Sequence, residues 1–259
     1  MISRPNLKKQ IFLAKESASL KNLDLEVHPA GHFVTAHRLL FRPRQDDTQP
    51  KVISQPVSVA RIGPVDAFLQ DVTGSDFTSV RLELCSGHGH WITEMASKSP
   101  QVAWIAVEMK LSRAIKILIK AQRLGIKNIW VACCQGQWLL EEIIRYNQSG
   151  FCPLKIEQAD VHFPDPWPKK RHAHHRLLQP KFLNMLCQVL KPGARLHLVT
   201  DDLFTCQALY QSAQELSPIT QPSEIQSLDE RYGDSYFENL WRTLGRSIYA
   251  LSITSQSIN

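Results

Sequence analysis

Glu83 and Glu108 each close a short apolar run, and they stand 25 residues apart in the chain. After the first comes Cys85-Ser86-Gly87-His88-Gly89-His90, where Gly87 and Gly89 let the backbone turn tightly and approach a ligand without a Cβ in the way. The second glutamate falls close to the roughly 20-residue spacing at which an acidic side chain accepts hydrogen bonds from the two hydroxyls of a ribose. An adenosine-containing ligand is therefore expected. It is not a nicotinamide dinucleotide, because the glycines do not fall in the G-x-G-x-x-G pattern and Glu83 would repel a pyrophosphate. A cationic ligand with a sulfonium and an α-amino group suits the same charge, and S-adenosylmethionine meets both demands. Gln135, at the end of a third apolar run, has the amide to meet an adenine edge, or serves as a polar helix start.

A second chemical segment is Phe163-Pro164-Asp165-Pro166-Trp167-Pro168-Lys169-Lys170. Three prolines fix φ and remove backbone donors, so a strand stops here and the loop that follows is stiff. Such a loop aims Asp165 and Trp167 over the ligand pocket at little entropic cost on binding. Behind it Lys169, Lys170, Arg171 and Arg176 suit phosphates. His172, His174 and His175 lack a Cys or carboxylate nearby to complete a ligand set, and no metal is expected.

The elements that must position these groups are legible from residue 80 onward. Strands are expected at 80–85, 102–108, 128–133, 156–163 and 195–201, alternating with helices as in βαβ units with a parallel sheet. One helix is expected at 91–97 and another at 110–124, the latter with Leu111, Ile115, Leu118, Ile119 and Gln122 on one face, Arg113, Lys116, Lys120 and Arg123 on another, and Gly125 just beyond its end. A further helix starts at Pro180 and stops at Lys191-Pro192-Gly193. Ligands of such sheets sit at the carboxyl ends of the strands, where Glu83, Glu108 and Asp165 fall. Residues 1–78 lack this regularity and are expected to be an N-terminal extension, with RNA contact through Lys8, Lys9, Arg38, Arg42 and Arg44 as its expected role; residues 79–259 form the main domain.

Composition bounds the rest. A chain of 259 residues with 43% hydrophobic content can bury a real core, and a net charge of +6 is compatible with a polyanionic partner. No apolar run is long enough to cross a bilayer, the N-terminus has no signal-peptide core, and the six cysteines lack a C-x-x-C pair. A cytoplasmic protein with reduced thiols is expected.

With the Asp165 loop and the two glutamates in view, the chain resembles the bacterial tRNA guanine-N7 methyltransferases, over roughly its last two thirds. The likeness runs through residues 82–89, 106–108, 128–135, 161–176 and 191–201, and through Ser235-Tyr236-Phe237-Glu238 and Leu244-Gly245-Arg246-Ser247-Ile248-Tyr249. It implies an α/β, Rossmann-like class I methyltransferase fold: a mostly parallel seven-stranded sheet with helices on both faces, closed by an antiparallel strand for which 248–253 is the candidate. It implies that Glu83, Gly87, Gly89, Glu108, Gln135 and Asp165 bind S-adenosylmethionine, and that Asp165 is the catalytic residue. Lys169, Asp201, Ser235 and Glu238 would contact the tRNA, and guanine 46 of the variable loop would be the target, with the enzyme a monomer or homodimer.

Three residues depart from the family pattern: Cys85 stands where Gly is usual, Gln135 where an acidic residue or Asn is usual, and Ser235 where Thr is usual. A small thiol fits the turn provided the local φ is negative. The competing expectations are an amino-methyltransferase of another nucleic-acid base, which would more typically show Asp-Pro-Pro-aromatic, and a catalytically silent RNA-binding protein on the same fold.

Overall fold

The computed structural model describes residues 26–27, 34–35, 39–41, 64–167, 171, 176–216, 220–233 and 235–256. In chain order the elements are β1 (Glu26–Val27), β2 (Val34–Thr35), β3 (Leu39–Phe41), α1 (Pro64–Thr73), β4 (Ser79–Leu84), α2 (His90–Lys98), β5 (Val102–Val107), α3 (Leu111–Arg123), β6 (Ile129–Cys133), α4 (Gly136–Asn147), β7 (Ile156–His162), α5 (Pro180–Val189), β8 (Leu190–Thr200), α6 (Leu203–Glu215), β9 (Thr220–Pro222), β10 (Gln226–Ser227), α7 (Tyr236–Thr243) and β11 (Tyr249–Ser255).

The main sheet runs β10-β11-β8-β7-β4-β5-β6-β3, with β9 also paired to β11. From β8 to β3 every pairing is parallel, and β11 lies antiparallel to β8 as expected for the closing strand. The sheet has nine strands among the described residues; the additions to the expected set are short pieces at its two edges. Chain order departs in opposite directions from β4 and β7, so the crevice at the topological switch point lies between their carboxyl ends.

Buried on both faces, the central strands distribute alternate residues to two cores. Leu82, Leu84, Ile105, Val107, Trp130 and Ala132 face one core with α1, α4 and α5, whereas Trp104, Ala106, Ile129, Val131 and Cys133 face the other with α2 and α3. Val65, Phe68, Leu69 and Val72 of α1 pack in the first core, so this helix, which precedes the expected boundary at residue 78, is continuous with the main body. Lys8, Lys9, Arg38, Arg42 and Arg44 lie outside the described residues.

Two expectations shift. The buried stripe of α3 is Ala114, Ile115, Ile117, Leu118 and Ala121, whereas Gln122 is exposed. Ile117 of this helix packs on the glycine turn: a Cβ on Gly89 would stand 2.7 Å from Ile117 Cγ1. The Lys191-Pro192-Gly193 stop also lies inside β8, which starts directly after α5. The extra residues are taken up in a register shift opposite Ile156 and Gln158, with Gly193 at φ +77°.

Candidate active site

At the end of β4 the glycine turn is built from side chain and backbone together. Ser86 Oγ donates to the Glu83 carbonyl (3.0 Å) and accepts from the Val107 N–H (3.1 Å), fastening the turn to β5. Gly87 and Gly89 have φ of +55° and +71°, the left-handed region that glycine enters without a Cβ penalty. Cys85 has φ +63°, so the condition under which a thiol would sit there comfortably is not met, and the turn holds this side chain under strain. The half-buried Cys85 thiol is pushed well above the ordinary thiol range by burial and then by the charges of Glu108, Asp165 and Glu83. It is protonated at neutral pH and is no nucleophile.

Glu108 lies one residue beyond β5 and is buried. Its Oε2 accepts from the Gly87 N–H at 3.0 Å and its Oε1 from the Lys110 N–H at 2.7 Å. Arg113 stands 3.8 Å away and also covers the Phe237 ring, its guanidinium carbon 5.4 Å from the centroid. Burial raises the Glu108 pKa, against the opposing pull of the Lys110 N–H, Arg113 and the Gly87 N–H. Arg113 thus belongs to the site rather than to a solvated basic face.

Glu83 is 2% exposed, and its Oε1 lies 2.8 Å from Nδ1 of His162, at the end of β7. Register explains the meeting: Glu83 pairs with Asp160, so His162 is the next residue on the same face of the neighbouring strand. Trp91 and Tyr232 pack against the imidazole, with centroids 4.5 and 5.2 Å away. Asp160 carries a pKa raised to about 6, because burial, with the nearby charge of Glu83, outweighs the hydrogen bonds from the Gln158 amide and the Tyr232 hydroxyl. Neither His162 nor Tyr232 was expected in the site.

The proline loop leaves β7 with the Phe163 N–H donating to the Val199 carbonyl (2.8 Å). Phe163 and Trp167 both adopt left-handed φ, +47° and +43°. Arg176 closes the far end by donating to the carbonyls of Pro166 (3.0 Å) and Trp167 (3.1 Å). Asp165 is exposed between these ties, and its charge reaches Cys85. Lys169, Lys170, His172, His174 and His175 lie outside the described residues.

Helix α7 roofs the cleft. Ser235 at its start lines the cleft together with Glu83, Cys85, Gly87, His162 and Phe237, and a Cβ on Gly87 would come 3.4 Å from the Phe237 ring. Glu238, expected at the RNA surface, instead points inward: it is fully buried, accepting from the Tyr232 N–H (2.9 Å) and Arg242 Nε (3.0 Å). Arg242 in turn donates to the carbonyls of Leu228, Asp229 and Glu230. Glu238 therefore holds the loop before α7 in shape. Asp201, partly exposed at the end of β8, pairs with Arg246, whose guanidinium lies 4.1 Å from the Trp241 ring. Gln135 is exposed and precedes α4 without capping it through its side chain, which leaves the amide facing outward at the end of β6.

Among the described residues no three His, Cys, Asp or Glu side chains gather as a metal site, and no helix is long and apolar enough to cross a membrane.

A profile of the family described as "Putative methyltransferase" matches residues 78–251. A protein of Chlamydia pneumoniae named tRNA (guanine-N(7)-)-methyltransferase is 38% identical over 173 residues, which cover 66% of this chain and 74% of that protein. The protein of the same name from Streptomyces avermitilis is 32% identical over 180 residues, 67% of this chain and 59% of its own length. Of solved structures, that of the 16S rRNA methyltransferase KamB superposes with a TM-score of 0.55 at 16% identity, covering 74% of this chain and 94% of that one. That likeness is one of fold.

Proposed function

The chain belongs to the tRNA (guanine-N(7)-)-methyltransferase family, and from that premise we propose that it methylates N7 of a guanine in tRNA, at position 46 of the variable loop, with S-adenosylmethionine as donor. The observation that carries this reading is the pair of buried glutamates, Glu83 and Glu108, at the glycine turn, with the exposed Asp165 standing on a tied loop beside them.

The residues present fit the donor. Glu83 Oε2 is buried and has no hydrogen-bond partner among the described residues, although the residue lines the cleft. An unpaired buried carboxylate oxygen is costly, and a cationic group removes that cost. Glu108 uses one lone pair on each oxygen for backbone N–H groups, which leaves acceptor capacity for ribose hydroxyls. Gln135 has an outward-facing amide for the adenine edge. When bound, S-adenosylmethionine supplies an electrophilic methyl group.

Guanine N7 carries an in-plane lone pair and no proton, so its attack on the methyl needs no general base. Asp165 then serves to position the base, accepting hydrogen bonds from the guanine N1–H and amino group and turning N7 toward the glycine turn. The left-handed Phe163 and Trp167 and the Arg176 ties keep that carboxylate from wandering. Lys169, Lys170 and Arg171 provide phosphate contacts, and tRNA affinity falls with salt accordingly, whereas Arg176 is engaged by the loop carbonyls. Asp201, just after β8, and Ser235, in the cleft lining, are the candidates for RNA contact.

Incubation of unmodified tRNA with labelled donor, followed by cleavage at 7-methylguanosine, tests substrate, atom and position together. Cleavage at guanine 46 is the expected result. Label on an exocyclic amine would favour an amino-methyltransferase, and a chain that binds tRNA but no donor would be a silent RNA-binding protein.

A further inference from the structure

We propose that His162 and Glu83 together form the receptor for the α-ammonium group of the donor, an inference that rests on the donor being S-adenosylmethionine. The geometry begins with the sheet. Parallel register of β4 and β7 sets Glu83 beside Asp160 and places His162 one pleat further on, on the same face. The Nδ1 to Oε1 distance of 2.8 Å lies between two side chains that are 5% and 2% exposed. A neutral imidazole has one N–H, and a carboxylate only accepts. The proton of a neutral His162 therefore sits on Nδ1, and Nε2 is left as a bare acceptor.

Each partner then has one polar atom unused: Glu83 Oε2 and His162 Nε2 are both buried without a hydrogen-bond partner among the described residues. Both residues line the cleft, as does Ser235. Two acceptors and a single negative charge suit a primary ammonium, which offers three N–H groups and one positive charge. They do not suit a carboxylate, which offers neither a donor nor the right sign. Trp91 and Tyr232, packed on the imidazole, keep it from rotating away.

The test measures binding rather than turnover. S-Adenosylhomocysteine carries the amino-acid end, whereas 5′-methylthioadenosine lacks it. In calorimetric titrations His162→Phe and His162→Asn should each weaken S-adenosylhomocysteine by roughly tenfold, since one hydrogen bond to a charged group is lost. Methylthioadenosine affinity should stay within about twofold. Equal losses for both ligands would mean that His162 merely supports the pocket, and no loss for either would mean that it plays no part; either result overturns the proposal. The wild-type chain gives a second readout. Long-range proton–nitrogen spectra of the histidine rings should show the Nδ1–H tautomer at His162 and a shift of its Nε2 signal with S-adenosylhomocysteine but not with methylthioadenosine. An unmoved signal overturns the assignment even if both variants fail to fold. A wild-type chain that bound neither nucleoside would instead bring down the donor reading itself.

Discussion

The N–H of Gly87 reaches Oε2 of Glu108 over 3.0 Å, joining the glycine turn that follows β4 to the carboxylate that follows β5. The Lys110 N–H binds the other oxygen. One carboxylate thus sets the shape of the turn through both of its oxygens.

Glu108→Gln should expose that double use. Whichever way the amide is turned, its NH2 faces one of two N–H donors, so the turn loosens as the ribose acceptor is lost. S-Adenosylhomocysteine affinity should fall by at least about tenfold, consistent with loss of hydrogen bonds to a charged group. Titration calorimetry measures it, and undiminished affinity would remove Glu108 from the binding site.

Asp165→Ala separates alignment from binding. Loss of the residue that turns the base should cut kcat by about 100-fold while tRNA and donor affinities change by less than about threefold. Single-turnover methylation and filter binding decide it. A variant with full rate and normal binding would show that Asp165 orients nothing.

Cys85→Gly should stabilise the protein. A non-glycine residue at φ +63° bears a cost that glycine does not, on the order of 1 kcal/mol before the greater freedom of the unfolded glycine chain is subtracted. A net gain of about 0.5 kcal/mol is expected, seen as a higher urea midpoint at unchanged m value. A lower midpoint would mean that packing of the thiol outweighs the strain.

Asp160 gives a pH signature. Its folded pKa, about 6, lies above the ordinary 3.8, so the folded state holds the proton more tightly. The stability this group contributes is complete below about pH 4 and is lost as pH rises through about 6. Asp160→Asn should therefore be more stable than the native protein at pH 8, by on the order of 3 kcal/mol, and close to it at pH 4. Thermal melts across that range check it, and a difference independent of pH would contradict the assignment.

Glu238→Gln should act on stability before RNA. Removing the charge that faces the mostly buried Arg242 should cost roughly 2–3 kcal/mol, whereas tRNA affinity of the folded protein should change by less than about threefold. Denaturant unfolding and filter binding separate the two. A large affinity loss without destabilisation would return Glu238 to the RNA surface.

Much of the site was legible because strand ends announce themselves. Glu83, Glu108 and Asp165 each follow an apolar run and precede a turn, and a parallel sheet gathers such ends on one edge. His162 escaped notice because a lone histidine in a strand says nothing until register sets it beside Glu83. The sign of φ at Cys85 is a property of the folded turn, and composition does not report it. Glu238 carried a usable signal: Arg242 lies four residues on, so the two share one helix face and pair inward. The inner face of α3 differs from the expected one because Ala114 and Ala121, both buried, are weak hydrophobic markers.

The Arg176 side chain holds the carbonyls of Pro166 and Trp167, so the described residues on either side of 168–175 are tied to each other. A segment whose two ends are pinned together can be lengthened or shortened without moving what lies outside the pin. The reach of the basic run toward RNA is then adjustable independently of the aim of Asp165. Variants that differ in loop length between 168 and 175 should trade tRNA preference while keeping the same methylated atom.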